Sequence, residues 1–386
     1  MARSRRTTRA RSTRKSVRRP RSSGRGRSRS RRSSGGFVVP LALVAAVFGG
    51  YAYLHSHGGK LDLPGGGGNG GTSTSGTGSG ANPGAEAAGG TAFVFATGTA
   101  SEPLIYQFID SARSSIDMTM YELNDATAVN DLILRKKAGV DVRVVLDQAE
   151  KSTNTSAYAK LTSAGIGVVW SSTAFQYTHQ KTLTVDDRKS LILTGNLTSN
   201  YYSETRDYGD LDSDANDVKA IVAVFDADYA HKPITPGDAD DLLWSPTSAQ
   251  SHVLSVIDGA RKTLDVEGEE FNDPAAVDAV AAKAREGVAV RVMVESPSKY
   301  ASAIAQVTKA GGKVVGYSST TGLYIHAKAV IADAGLADRT AEIGSMNYTA
   351  NSLTRNRELG IVLHDSADCS LLERQFSADF SGGTPA

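Results

Sequence analysis

Residues 177–186 read YTHQKTLTVD, and residues 324–333 read YIHAKAVIAD. Both stretches begin with tyrosine and fit the pattern His-x-Lys-x-x-x-x-Asp, in a chain of 386 residues that contains only seven histidines. Because side chains alternate along a β-strand, a histidine and a lysine two positions apart point to the same side. Each stretch can therefore present one imidazole and one ammonium group to a single pocket.

The sequence around the motif repeats as well. IDSARSSID at residues 109–117 matches IDGARKTLD at 257–265, an offset of 148 residues. Beyond the motif the offset grows to 151, where NLTSN at 196–200 meets NYTAN at 347–351. An internal repeat of this length indicates a structural unit that occurs twice in the chain.

Each half reads as alternating helices and strands. VDVRVVLD at 140–147 and VAVRVMVE at 288–295 are rich in β-branched residues, as buried strands are, and each follows a glycine suited to ending a helix. Residues 181–195 and 328–344 are predicted to form hairpins. Asp217–Tyr229 is predicted to be an amphipathic helix with Asp217 as its N-cap. This alternation predicts an α/β fold with helices on both faces of each sheet.

Charge separates the N-terminal end from the rest of the chain. Residues 1–35 hold 15 of the 42 basic residues and no acidic one, so the remainder carries 27 bases against 41 acids. Residues 37–54 are free of charge and just long enough to cross the hydrocarbon core of a bilayer. Basic residues before such a segment stay in the cytoplasm, which places the C-terminal body outside it. Cleavage of the segment as a signal peptide, giving a secreted body, is the alternative.

These changes in composition predict five regions. They are a basic disordered tail (1–36), a transmembrane signal anchor (37–54), a flexible Gly/Ser-rich linker (55–91), the first repeated half (92–235) and the second (236–386). The tail suits anionic lipid headgroups, and contact with nucleic acid phosphates is the alternative.

Two imidazoles and two ammonium groups in one pocket suit the chemistry of a phosphodiester. Lysines neutralise the non-bridging oxygens as compact charges. One imidazole can attack phosphorus to form a phosphohistidine, while the other protonates the leaving alkoxide and then activates water or an alcohol. These steps need no metal and no cofactor, so we expect neither.

The two motifs and the residues after them resemble the phospholipase D superfamily. Its signature is His-x-Lys-x-x-x-x-Asp followed by Gly-Ser-x-Asn in each of two halves. The second half contains Gly344-Ser345-Met346-Asn347, whereas the first contains Leu193-Thr194-Gly195-Asn196, in which Leu replaces Gly and Thr replaces Ser. The resemblance covers roughly residues 92–380. It implies two duplicated α/β/α sandwich halves packed about a pseudo-twofold axis, with the active site at their junction.

The resemblance also implies roles for individual residues. His179, Lys181, His326 and Lys328 would be catalytic; Asp207 and Glu358 would orient the histidines; Asn196, Thr194, Ser345 and Asn347 would bind phosphate; Asp186 and Asp333 would be structural. His179 is implied as the nucleophile and His326 as the acid. Local pairing of Asp207 with Arg206, and of Glu358 with Arg357, is the alternative. Glu122 and Glu270 end matching strands and are weaker candidates for the pocket.

Hydrolysis of phospholipid headgroup esters at the outer membrane surface is our first functional hypothesis. An acidic body disfavours non-specific binding of polyanions, and residues 37–54 would hold the enzyme at lipid. The alternatives are a metal-independent endonuclease, a phosphatidyltransferase of the cardiolipin synthase kind, and a catalytically silent binding module tethered to the membrane. The expected partners are therefore a phospholipid or other phosphodiester and the membrane, with nucleic acid as an alternative. Because both motifs lie in one chain, we expect a monomer.

Overall fold

The structure, a computed structural model, describes residues 92–95, 102–237, 241–318 and 322–386. The predicted basic tail, signal anchor and linker lie outside the described residues. Within the described part of the chain, no helix combines the length and the apolar character needed to span a bilayer.

The first half is a mixed sheet with helices on it. Its elements in chain order are β1 (Ala92–Phe95), α1 (Glu102–Asp110), β2 (Ser115–Met120), α2 (Ala126–Lys137), β3 (Asp141–Leu146), α3 (Lys151–Ser163), β4 (Gly167–Trp170), β5 (Lys181–Val185), β6 (Lys189–Leu193), β7 (Thr205–Asp212) and α4 (Ala215–Tyr229). The strand order is β1-β7-β6-β5-β2-β3-β4. Strands β2, β3 and β4 are parallel, and the neighbouring pairs from β2 to β1 are antiparallel.

The second half repeats this plan. Its elements are β8 (Leu242–Ser245), α5 (Ala249–Gly259), β9 (Thr263–Gly268), α6 (Pro274–Arg285), β10 (Ala289–Glu295), a 3₁₀ turn (Pro297–Tyr300), α7 (Ala301–Lys309), β11 (Lys313–Tyr317), β12 (Tyr324–Ile325), β13 (Lys328–Ala332), β14 (Thr340–Gly344), α8 (Ala350–Thr354), β15 (Glu358–Leu363), α9 (Ser366–Gly382) and β16 (Thr384–Pro385). The strand order is β16-β11-β10-β9-β13-β14-β15-β8, so each strand of the first sheet has a counterpart. This confirms the predicted duplicated α/β halves.

Three apolar clusters hold the layers together. One packs α1, α2 and α3 on the first sheet, and a second packs α5, α6 and α7 on the second sheet. The third joins the halves, because Ile221 and Val224 of α4 lie in the same cluster as Leu372 and Phe376 of α9. Burial of large apolar side chains contributes about 1.5–3 kcal/mol each, so this central layer makes the two halves one body.

The hairpins lie where the sequence predicts them, with β5 antiparallel to β6 and β13 antiparallel to β14. Gly139 and Gly287 follow helices with φ of +96° and +90°, a region that glycine reaches without strain. The predicted N-cap of α4 is wrong: the helix begins at Ala215, because the Asp214 carboxylate accepts hydrogen bonds from the N–H groups of Asn216 and Asp217.

Candidate active site

A cavity of about 680 Å³ opens at the junction of the halves. Both motif histidines line it, and the side chain of each is 12% exposed. Asn196, Asn347 and Asp207 line the same cavity. The structure therefore brings together residues that lie about 150 positions apart in the chain.

His179 is held by a carboxylate from the opposite half. Its Nδ1 lies 2.8 Å from Glu358 Oε2 and 3.1 Å from the Ser345 carbonyl oxygen. Both partners only accept hydrogen bonds, so Nδ1 carries the proton and Nε2 keeps its lone pair. Burial, and next the Lys181 charge, lower the pKa of His179 to about 4, against the opposing effect of Glu358. His179 is therefore neutral at pH 7.

His326 has the reciprocal arrangement. Its Nδ1 lies 2.8 Å from Oδ1 of Asp207, a residue of the first half. Burial alone would raise the pKa of Asp207, but the His326 ring and Lys328 hold it below its usual range. Asp207 is therefore a charged acceptor that fixes the orientation of the ring.

Backbone hydrogen bonds across the junction bring each histidine next to the carboxylate of the other half. The backbone N–H of His179 donates to the Arg357 carbonyl oxygen at 2.9 Å. The backbone N–H of His326 donates to the Arg206 carbonyl oxygen at 3.2 Å. Strand β12 also pairs with the start of β7 in the first sheet. Reciprocal contacts between equivalent residues are the pattern of an isologous interface.

The arginines beside the two carboxylates pair elsewhere. Arg206 Nε lies 2.5 Å from Asp379 Oδ2, and Arg357 Nε lies 2.9 Å from Asp228 Oδ2. Both pairs again join one half to the other. The local Arg206–Asp207 and Arg357–Glu358 pairs considered from the sequence are therefore not the contacts that these arginines make here.

Lys181 and Lys328 begin β5 and β13, and each is only 1% exposed. Each Nζ donates to the carbonyl oxygen of the histidine two residues before it, at 2.6 Å for Lys181. Burial, and next the nearby Lys328 charge, lower the pKa of Lys181 to about 7. The two lysine amino groups are thus buried next to the backbone of the two histidines.

The four residues expected to bind phosphate fall into two kinds. The Asn196 and Asn347 amides line the cavity and donate to Glu122 and Glu269, at 3.3 and 3.4 Å. Thr194 and Ser345 are fully buried instead. The Thr194 hydroxyl donates to Asp207 at 2.7 Å, and that of Ser345 to the Leu359 carbonyl oxygen at 3.3 Å. A phosphate-binding role for these two hydroxyls stays a prediction.

The departure from Gly-Ser-x-Asn in the first half is balanced by packing. A Cβ on Gly209 would lie 2.9 Å from Leu193 Cδ2, and a Cβ on Gly360 would lie 2.5 Å from Met346 Cε. Gly209 and Gly360 are equivalent. The Phe93 ring, with Cζ at 2.4 Å, is the nearest group to a Cβ on Gly209 and Leu193 comes next, whereas Met346 is the nearest group at Gly360.

Asp186 and Asp333 lie at the far ends of their hairpins, with φ of +56° and +57°. The Asp186 carboxylate accepts from the N–H groups of Arg113, Ser114 and Ser115, at 2.6–3.1 Å. Burial alone would raise the pKa of Asp186, but these N–H groups hold it below its usual range. Asp333 makes the equivalent bonds to residues 261–263.

Residues just before α2 and α6 complete the cavity wall. Glu122 and Glu270, the weaker candidates from the sequence, both line it. Reasoning from the sequence missed their neighbours Tyr121 and Glu269, which also line it. The Tyr121 ring centroid lies 4.5 Å from that of His179, and Glu269 Oε2 lies 3.7 Å from His326 Nε2. The offset of 148 that aligns Glu122 with Glu270 also aligns Tyr121 with Glu269, so the signal was present.

The arrangement supplies a neutral imidazole, a second imidazole with its own carboxylate, and two buried lysines near both rings. Displacement at phosphorus needs these groups around one atom: a lone pair for attack, a proton for the leaving oxygen, and cations for the non-bridging oxygens.

A family model described as "Cardiolipin synthase, PLD-like domain" matches the chain twice, over residues 105–229 and 253–380. No curated protein sequence matches the chain. Both matched segments contain one histidine–lysine motif and the carboxylate that orients the histidine of the other half.

Solved structures with a similar fold come from several enzymes. Polyphosphate kinase from Porphyromonas gingivalis has a TM-score of 0.57 at 15% identity, covering 75% of this chain and 50% of that one. This chain thus spans half the length of that kinase. Phosphatidylserine synthase from Haemophilus influenzae Rd KW20 has a TM-score of 0.55 at 14% identity, covering 74% and 85%. Nuc, a phospholipase D family member from Salmonella typhimurium, is 22% identical over 38% of this chain and 95% of its own, with a TM-score of 0.34.

Proposed function

The chain belongs to the phospholipase D superfamily, and on this premise we propose that it cleaves phospholipid headgroup esters through a covalent phosphohistidine on His179. The observation that carries the proposal is the crossed pairing of each imidazole with a carboxylate of the other half, at 2.8 Å in both cases. This pairing turns the Nε2 atoms of both rings into the reacting atoms of one cavity.

In the first step the His179 Nε2 lone pair attacks phosphorus. The bond from phosphorus to the leaving oxygen breaks, and that oxygen takes the proton of His326 Nε2. Lys181, Lys328 and the two asparagine amides hold the non-bridging oxygens in this proposal. Their charge offsets the negative charge that builds up there.

In the second step His326 Nε2 acts as a base. It takes a proton from water, whose oxygen attacks phosphorus, and the phosphorus–nitrogen bond breaks. His179 regains its lone pair and His326 regains its proton, so the cycle closes without a metal or a cofactor.

Acidic and aromatic side chains around the mouth support a lipid rather than a polynucleotide. Glu122, Glu204, Glu269 and Glu270 line the cavity together with five tyrosines. A wall of carboxylates repels a run of phosphates but tolerates a single diester whose charge reaches the buried lysines. Residues 37–54 would hold the body at a membrane, with the catalytic part outside the cytoplasm.

Transfer to an alcohol is the second candidate, and the description of the matching family model favours it. The phosphohistidine is the same, and only the acceptor in the second step differs. A lipid hydroxyl in the place of water would give a phosphatidyltransferase.

Turnover by the full chain in lipid–detergent micelles, with EDTA present, tests the proposal. We expect free headgroup to be released, and a phosphatidyl alcohol to appear only if added glycerol competes with water. His179→Asn is the control and should release none. Nicking of plasmid DNA without lipid turnover would identify a nuclease instead, and a folded protein inactive on all diesters would identify a binding module.

A further inference from the structure

The two half-sites differ at one position of the cavity wall, occupied by Tyr121 in the first half and Glu269 in the second. In the first half the Tyr121 ring lies against Lys181, with 5.0 Å between Nζ and the ring centroid. In the second half the Glu269 carboxylate takes this place. Its Oε2 lies 3.2 Å from Lys328 Nζ, 3.4 Å from Asn347 Nδ2 and 3.7 Å from His326 Nε2.

In the proposed mechanism these three atoms contact the phosphate group of the substrate. Here all three lie close to a single carboxylate oxygen, Glu269 Oε2. The other oxygen, Oε1, accepts from the Tyr324 hydroxyl, so the carboxylate is held from both sides. Burial alone would raise the pKa of Glu269, but Lys328, His326 and the Tyr324 hydroxyl hold it well below the ordinary value. The side chain is therefore a charged carboxylate at pH 7.

We propose that Glu269 is an internal anion, which holds the phosphate-binding groups of the second half until an oxyanion of the substrate displaces it. The inference rests on the proposed function, since it takes Lys328 and Asn347 as phosphate ligands and His326 as the acid. The observations that support the inference are the contacts of Glu269.

The internal anion makes the site selective. A ligand must supply enough binding free energy to move Glu269 away from Lys328, or must tolerate a carboxylate beside its own charge. A diester with two organic arms gains contacts along the cavity walls, whereas a small inorganic oxyanion has none to offer. A dianion is repelled more strongly than the single charge of a diester. Glu269 thus favours diesters over free phosphate and over monoester products.

Binding of tungstate, a phosphate-like dianion, tests the inference in the full chain in detergent by calorimetry. Glu269→Gln keeps the shape and removes the charge, so we expect tungstate to bind about 10- to 100-fold more tightly than to wild type. Tyr324→Phe leaves the carboxylate charged but removes one of its anchors. It should tighten binding by about two- to fivefold.

Glu270→Gln is the matched control, because it removes a neighbouring wall charge that makes no ion pair with Lys328. Its effect should stay below about threefold, since a more distant solvated carboxylate is screened. Thermal unfolding of each variant establishes that it is folded. If Glu269→Gln does not fold, the tungstate affinity of Tyr324→Phe still tests the inference.

The inference is overturned if neither Glu269→Gln nor Tyr324→Phe tightens binding, or if Glu270→Gln tightens it as much as Glu269→Gln. Cleavage of a diester by the wild type distinguishes the two claims. A chain that cleaves diesters but shows no tightening keeps its proposed function and loses the internal anion. A chain that cleaves none but shows the tightening has an anion site guarded by Glu269 and a different function.

Discussion

His179 and His326 use the same ring nitrogen for the same kind of contact, yet they have different neighbours. His179 lies against the Tyr121 ring and its pKa falls to about 4, whereas His326 Nε2 lies 3.7 Å from the Glu269 carboxylate. A neutral ring offers a lone pair for attack on phosphorus. This difference supports the proposed division into nucleophile and acid.

Replacing each histidine by asparagine separates the two roles. We expect His179→Asn to abolish labelling of the protein by a radioactive diester in reactions quenched with alkaline detergent, which preserves a phosphorus–nitrogen bond, because the atom that forms the bond is gone. His326→Asn should still become labelled from a substrate with an activated aryl leaving group, which needs no acid. Both should lower turnover of the natural ester by about 10⁴-fold or more. Labelling of His179→Asn but not of His326→Asn would reverse the assignment.

The pH dependence of kcat/KM follows from two lowered pKa values. Below about pH 4 His179 gains a proton and loses its lone pair, and above about pH 7 Lys181 loses the charge that binds phosphate. We therefore expect activity to be highest between these limits and to fall on either side. Lys181→Arg keeps its charge at high pH and should move the upper limb to higher pH, even at lower overall activity. A wild-type profile still rising well above pH 7 would contradict the account.

At the level of elements, the hairpin aspartates explain why Asp ends the motif. Asp186 takes a positive φ at the end of β5, and its carboxylate accepts the N–H groups that precede β2. One side chain thus ties a hairpin end to the start of the neighbouring strand. We propose a structural role, since Asp186 and Asp333 lie at the ends of β5 and β13 remote from Lys181 and Lys328, the residues that begin those strands.

We predict that Asp186→Ala destabilises the fold by about 2–3 kcal/mol, from lost hydrogen bonds and from a left-handed backbone that alanine adopts poorly. Asp186→Asn should cost less, because asparagine tolerates positive φ. Urea unfolding measures both. Activity per folded molecule should stay near that of wild type, and a specific loss of turnover in a stable Asp186→Asn protein would refute a structural role.

Local patterns allowed the hairpins, the strands and the repeat to be predicted, because each depends on neighbouring residues. The start of α4 was missed by a few residues because Asp214 and Asp217 are both good caps, and only the backbone geometry selects Asp214. The crossed contacts could not be derived, since Asp207 is nearer in sequence to His179 than to its partner His326. Glu269 was missed because its equivalent in the first half is Tyr121, so the repeat does not single out a carboxylate at this position.

At the scale of the whole molecule, the candidate active site lies where the halves meet. The histidines, their carboxylates and the Arg206–Asp379 and Arg357–Asp228 pairs all cross the junction. Each half therefore supplies what the other lacks. Because one chain contains both halves, a single copy can form the complete cavity.

The buried Arg357–Asp228 pair should hold the halves together. Arg357 is 2% exposed, and removing it leaves a buried carboxylate without its cation, so Arg357→Met should destabilise the protein by about 3–5 kcal/mol. The double variant Arg357→Met, Asp228→Leu should recover part of this loss. Asp226→Ala breaks the exposed pair with Arg143 and should cost less than about 1 kcal/mol. Urea unfolding measures the free energy of unfolding of each variant. Equal decreases for the buried and the exposed pair would contradict this view of the junction.

A crystal structure of the protein with vanadate, which accepts a fifth ligand as phosphorus does during displacement, is the most direct measurement. We expect one vanadate in the cavity, bonded to His179 Nε2, with His326 Nε2 donating a hydrogen bond to an oxygen on its opposite side. Vanadate bound to one histidine while the other faces elsewhere, or two separate vanadates, would contradict the claim that both halves act on a single phosphorus atom.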